Sequence, residues 1–180
     1  ESICRKAGPH LGTGTAQTIA SLERWLDLRQ GCDAAIAILS AGISHDDAIA
    51  AIGVRISGLE EPRLGLAVLK SGAASGVTHA LIDGIEGVYE LDFGTYGDQK
   101  RWMNGSRLVP DTQQEKRAIS ASGDSGAVWI NPETRRAVAL HFAGNDDAGL
   151  GTGWAVAHPL SRTFEPLIPL EPGHVRMYVC

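Results

Sequence analysis

A serine set between glycines and preceded by an aspartate, Gly123-Asp124-Ser125-Gly126, is the part of this sequence best equipped for covalent chemistry. An apolar run follows it (Ala127 to Ile130), then Asn131-Pro132-Glu133-Thr134, then a second apolar run (Ala137 to Phe142). Strand, tight turn, strand is the direct reading, with Asn-Pro supplying the turn. A serine on the loop before such a hairpin is exposed, and flanking glycines let the backbone bend until its amides converge. A hydroxyl beside convergent amides is what acyl transfer requires, a nucleophile together with donors for the oxyanion formed on attack. The tetrapeptide also reads as a plain glycine-rich turn, so the surrounding chain has to decide.

The elements that must position this serine are short and β-like. Apolar runs recur at Leu66 to Leu69, Val77 to Ile82, Val88 to Leu91, Ala127 to Ile130, Ala137 to Phe142 and Gly153 to Ala157, most of them separated by Gly, Asn or Asp. That spacing predicts an antiparallel barrel. Upstream, Ala34 to Leu39 reads as a strand buried on both faces, and the alternation Ile52-Val54-Ile56 as another strand. Ser44-His45-Asp46-Asp47 has the spacing of a helix cap and predicts a single turn. Thr15 to Leu28 fits either a helix or a strand. Glu60-Glu61-Pro62 is polar and stiffened by proline, and marks a boundary. Ser161 to Leu170 predicts a short closing helix interrupted at Pro166.

Composition sets limits. With 180 residues the chain can bury one good core or two small ones. Its 43% hydrophobic and 21% charged content is that of a globular protein, and 22 glycines against three phenylalanines point to turns and short strands. A net charge of −5 argues against nucleic acid or an anionic membrane as partner. No apolar run approaches the ~20 residues that span a bilayer. Cys4, Cys32 and Cys180 are odd in number and far apart, which predicts neither a disulfide framework nor a zinc site and makes a reducing, cytoplasmic location the expectation. No metal and no cofactor is expected. Lys70 precedes Ser-Gly-Ala-Ala-Ser-Gly, which lacks the order of a phosphate-binding loop. His45, His79, His158 and His174 have no metal-ligand spacing and read as surface or packing residues.

Gly-Asp-Ser-Gly followed by an apolar strand, a hairpin and Ala139-Leu140-His141-Phe142-Ala143-Gly144 resembles the active-site segment of chymotrypsin-fold (trypsin-like) serine proteases. Val68 to Thr78 is similar to the strand and loop that open the second barrel of bacterial members. Cys32-Asp33-Ala34-Ala35-Ile36-Ala37-Ile38-Leu39 is similar to the strand beginning at the triad aspartate, and Gly151 to Ala155 to the strand beside the specificity pocket. The resemblance covers about Gly8 to Leu167 and implies an all-β antiparallel double barrel. Residues 1–60 would form the latter part of an incomplete first barrel, with a strand within Thr15–Leu28. Residues 61–180 would form the second barrel with the nucleophile loop and the C-terminal segment.

The roles implied by the resemblance are specific. Ser125 is the nucleophile, Asp33 the carboxylate that orients the base, and the amides of Gly123 and Ser125 the oxyanion hole. Asp124 holds the loop through a buried ion pair or hydrogen bonds to a partner that the sequence does not identify. His141, Ser122 and Gly144 bind the P1 side chain, and an imidazole there suits glutamate or glutamine. Ile119 stands at the pocket base, where trypsin-like enzymes carry aspartate, which disfavours Lys or Arg at P1. A core histidine is the competing reading of His141. The base itself is missing from its place: only His10 precedes Asp33, in a context unlike the family's histidine turn. The expectation is that an N-terminal segment or a separate chain supplies it, with His10 a minor substitute. The expected function is a serine endopeptidase acting on peptide or protein substrates. The alternative is a non-catalytic, protease-fold binding or regulatory module, or an inactive fragment.

Overall fold

The structure, a computed structural model, describes residues 19–26, 31–92, 100–115, 117–145 and 153–167. His10, Cys4, Cys180, His174 and Gly151 lie outside the described residues. Among the described residues, ten strands and one helix follow in order: β1 (Ala20–Trp25), β2 (Ala35–Leu39), β3 (Ala48–Ile49), β4 (Val54–Arg55), β5 (Ala67–Gly72), β6 (Gly76–Asp92), β7 (Lys100–Pro110), β8 (Val128–Ile130), β9 (Ala137–Asn145), β10 (Trp154–Pro159) and α1 (Leu160–Leu167).

Six of the strands close into an antiparallel barrel in the order β10-β7-β6-β5-β8-β9. Alternation explains how. Along β5, Val68, Lys70 and Gly72 point inward while Ala67, Leu69 and Ser71 stay half-exposed, and β6 continues the pattern through Thr78, Ala80 and Ile82. The interior is filled by Leu66, Val68, Ala80, Ile82, Leu108, Ile119, Trp129, Val138, Ala139, Ala155 and Ala157. Each large aliphatic side chain so buried contributes about 1.5–3 kcal/mol.

Before the barrel, β1 pairs with β2 and β3 with β4 in two-stranded antiparallel sheets. A second apolar cluster of Ala34, Ala137, Leu140 and Leu160, backed by Leu26, Cys32, Ile36 and Val128, joins this first part to the barrel. Glu60 adds a polar tie. It accepts from the Asn131 amide (3.1 and 3.0 Å) and from the Thr134 hydroxyl (2.7 Å), anchoring the turn of the β8–β9 hairpin.

Several expectations are corrected. β2 is not buried on both faces: it pairs with β1, and Ile38 is 59% exposed. Ser44 to Asp47 forms no helical turn; Asp46 instead accepts from the Ala48 amide (3.0 Å) and leads into β3. The runs Val77–Ile82 and Val88–Leu91 are one continuous strand, β6, bent by register shifts around Gly84. β7 lies outside the apolar runs read from the sequence, and it holds Asn104-Gly105, a pair common in turns, within a continuous strand. α1 continues through Pro166 instead of breaking there. Among the described residues no helix is long and apolar enough to cross a membrane.

Candidate active site

The loop carrying Ser125 is shaped by its glycines and locked from beneath. Gly123 and Gly126 have φ of +107° and +90°, a region that L side chains avoid. The Gly126 amide donates to the His141 carbonyl (2.8 Å) and the Ala127 amide to the Asp124 carbonyl (3.0 Å), so the loop is stitched to β9 and to itself. Ser125 is exposed and its hydroxyl donates to the Phe142 carbonyl at 3.3 Å.

Asp124 points the other way, into the barrel. Its Oδ2 pairs with Lys70 Nζ at 2.8 Å, and neither side chain has any solvent exposure. Ser75 Oγ (2.6 Å) and the amides of Ala74 (2.9 Å), Ser75 (3.0 Å) and Ala121 (3.1 Å) also donate to the carboxylate. Lys70 Nζ further donates to Ser75 Oγ (2.7 Å) and sits 5.2 Å from the Trp129 ring centroid. Burial alone would push the Asp124 carboxyl up. Lys70 and these donors outweigh burial and hold it well below the usual carboxylate range. Burial pulls the Lys70 amine down, while Asp124 pulls it back. Lys70 is the partner that the sequence did not identify. The signal was a lysine at an inward position of an apolar strand, where a charge requires a counter-charge.

Ser125, Asp33, His141, Ser122 and Gly144 line one cavity of about 570 Å³, together with Asp92 and Ser120. Five of the six site residues read from the sequence, contributed by the β2 approach, the nucleophile loop and β9, thus come together; the sixth, Gly123, lies on the nucleophile loop but does not line this cavity. Ile119 does not form the floor; it is fully buried in the barrel core. Ser120 takes that place, with its Oγ 2.9 Å from His141 Nε2. Burial first, and Lys70's charge second, lower the His141 imidazole to about 4, against the opposing pull of Asp124. A Cβ added at Gly144 would collide with Ser120 and approach the Trp154 carbonyl to 3.0 Å, so glycine there keeps this wall open.

Asp33 is exposed as a residue, but desolvation around its carboxyl raises it above the ordinary value. Its backbone N–H donates to Nε2 of His158 (2.9 Å). That leaves Nδ1 of His158 to donate to the Asn104 carbonyl (2.7 Å). The ring stacks on Phe142 at 3.8 Å and 8°. Burial, partly offset by Asn104, lowers this imidazole to about 4, so it is neutral at pH 7 and able to accept. His158, expected as a packing residue, therefore connects the Asp33 loop with the strand whose carbonyl receives Ser125. His158→Phe would keep the stack but orphan the Asp33 N–H and the Asn104 carbonyl. A loss of about 1–3 kcal/mol per buried orphaned group is expected. Urea denaturation measures it, and hydrogen exchange should show the Asp33 amide opening first.

Cys32 is a free thiol; burial raises it to about 11, with Thr163 lowering and Asp33 raising it further. Among the described residues no group of three or more His, Cys, Asp or Glu could hold a metal ion.

No protein-family model matches the sequence. One stretch of 25 residues is 72% identical to part of a cysteine–tRNA ligase from Albidiferax ferrireducens; it spans 14% of this chain and only 5% of that protein, too short a piece to support a reading of the whole. Solved structures match far more broadly. A glutamic-acid-specific serine protease that utilises a histidine triad in substrate binding superimposes with a TM-score of 0.61 at 20% identity, covering 82% of this chain and 71% of that one. Cellulomonas bogoriensis chymotrypsin gives 0.59 at 17% identity (76% and 67% covered), and Nocardiopsis protease (NAPase) 0.59 at 17% (82% and 70%). From strand topology and these superpositions together, the chain has the chymotrypsin-like double-barrel fold of bacterial serine proteases.

Proposed function

We propose that this chain is the nucleophile-bearing part of a serine endopeptidase that acylates Ser125 and then transfers the acyl group to water. The observation that carries this reading is the convergence of Ser125, Asp33 and His141 on one cavity, above a nucleophile loop fixed by a buried Asp124–Lys70 pair. In this reading the amides of Gly123 and Ser125 stabilise the oxyanion, each donor being worth about 100- to 1000-fold in rate. Asp33 orients the base, and His141, Ser122 and Gly144 receive a P1 side chain of the glutamate or glutamine type.

The base comes from outside the described residues. His141 is bonded to Ser120, and both ring nitrogens of His158 are engaged. The β1–β2 ribbon supports a segment that brings it. One face of the ribbon carries Ala20, Leu22 and Trp25 opposite Leu39, Ala37 and Ala35; none of the six is buried, and Trp25 is 65% exposed. An all-apolar strand face left this open suits further strands of a first barrel.

The competing reading is a protease-fold module that binds peptides without cutting them. Intact-mass analysis after fluorophosphonate treatment separates the two, run on this chain, on any longer polypeptide that contains it, and on Ser125→Ala. Labelling at Ser125 in the longer form, absent from Ser125→Ala, is the expected result. Labelling of the short chain that vanishes in His10→Ala would place the base at His10. Failure to label in every form would overturn the catalytic reading and leave the binding module.

A further inference from the structure

We infer that His158 is a positioning residue for the acyl transfer proposed above: by accepting the Asp33 N–H it sets the direction in which that carboxylate meets the base. The inference rests on the serine-protease reading and adds to it a residue that acts only through Asp33.

Three ties hold the stretch around Asp33. Two are backbone bonds on either side of it: the Gly31 carbonyl accepts from the Asn104 amide (2.9 Å), and the Ala34 carbonyl from the Leu26 amide (2.9 Å). The third runs from the Asp33 N–H to His158 Nε2 (2.9 Å), and a side chain makes it. His158 Nδ1 donates in turn to the Asn104 carbonyl (2.7 Å). Asn104, Gly31, Asp33 and His158 are thereby joined in one closed circuit. Glycine suits the corner at Gly31, where φ is +74° and a Cβ would come within 2.7 Å of Asn104 Nδ2.

The circuit leaves the imidazole little freedom. Donation from Nδ1 fixes the tautomer, so Nε2 must accept. The ring is 2% exposed and lies flat on Phe142, whose own carbonyl accepts from Ser125 (3.3 Å). One buried ring on β10 therefore aligns the carboxylate with the strand that receives the nucleophile. Among the described residues no donor holds the Asp33 carboxylate itself, so its direction is set by the backbone that bears it. Displacing that backbone turns the carboxylate without touching Ser125 or its loop.

The two ring bonds can be removed one at a time. Glutamine reaches the Nε2 position with an amide oxygen, which keeps the acceptor for Asp33 and leaves the Asn104 carbonyl unpaired. Asparagine reaches the Nδ1 position with an amide N–H, which keeps the donor for Asn104 and orphans the Asp33 N–H. Phenylalanine keeps only the stack. The experiment compares rates of fluorophosphonate labelling of Ser125 in His158→Gln, His158→Asn and His158→Phe, made in whichever form of the protein labels, with urea denaturation of each. Labelling is expected to slow about 100-fold in His158→Asn and His158→Phe, the scale of a catalytic group displaced by about 1 Å, and less than about fivefold in His158→Gln. His158→Gln and His158→Asn lose one bond each and should be destabilised alike, so stability does not account for that split. Equal rates in these two, or rates that follow stability across the three, would overturn the inference and leave the protease reading standing. Native-rate labelling in His158→Asn would overturn it alone, whether or not the other variants fold. No labelling in any form with His158 intact would overturn the reading beneath it.

Discussion

Lys70→Met should destabilise the chain by about 3–5 kcal/mol, the cost of stripping one partner from a buried pair, and should abolish labelling of Ser125. The methionine fills much of the same volume, so a packing defect does not account for a loss of this size. What remains is Asp124, wholly buried, with Ser75 and three backbone amides but no cation. The carboxylate would then either take up a proton or drag the Gly123–Ser125 loop toward water. Both outcomes rearrange the amides that the loop presents. The double replacement Lys70→Met/Asp124→Leu separates charge from packing, because removing both charges should recover most of the stability but not the labelling. Urea denaturation of the three variants reads the first quantity and intact mass the second. A single Lys70→Met with near-native stability would show that the pair does not hold the loop.

The same pair sets the acid limit. Asp124 has a folded-state value far below its unfolded one, so its contribution is fully present above about pH 4, the unfolded value of an aspartate, and is lost as pH falls toward the folded value. Stability measured between pH 5 and pH 2 should therefore fall in the native chain and stay flatter in the double variant, which has no carboxylate at this position.

How much of this was legible in the sequence depends on what the local pattern encodes. The serine, the hairpin after it and the strand of His141 are contiguous in the chain, and glycine placement and alternation mark them directly. β7 carries Asn104-Gly105, a turn signal, yet the pair lies within a strand whose inward-outward alternation breaks only between Gly105 and Ser106. Gly105 is needed there because a Cβ would come within 2.7 Å of Val156 and 3.0 Å of the Ala157 carbonyl on β10. The role of Lys70 was illegible for a different reason. Its partner lies 54 residues away, and only the barrel's closure brings β5 under the nucleophile loop. His158 is the same case: nothing near it in sequence indicates that it caps the Asp33 amide 125 residues earlier. Spacing reveals chemistry that is local, while the supports of a site come from topology.

Gly72→Ala should reverse the usual sign of a glycine replacement. Gly72 ends β5 with no left-handed backbone angle, so alanine fits its conformation, and the lower entropy of the unfolded chain would by itself stabilise by about 0.4–1 kcal/mol. The added Cβ, however, would lie within 2.8 Å of the Asp124 carboxyl carbon and both its oxygens. That carboxylate cannot swing aside as an exposed one would, since Lys70, Ser75 and the amides of Ala74, Ser75 and Ala121 fix both oxygens. Overpacking of about 1–3 kcal/mol is the smallest cost, rising toward that of a broken buried pair if the carboxylate is expelled. Gly76→Ala is the matching control. Its φ of +68° strains alanine, but nothing lies within 4 Å of the new methyl group, so it should cost roughly 1–2 kcal/mol without touching Ser125. Chemical denaturation ranks the two, and fluorophosphonate labelling of the reactive form separates them further: lost in Gly72→Ala, retained in Gly76→Ala. A stabilised Gly72→Ala that still labels would mean that the Asp124 carboxylate does not occupy this site, and the lock beneath the nucleophile would have to be sought elsewhere.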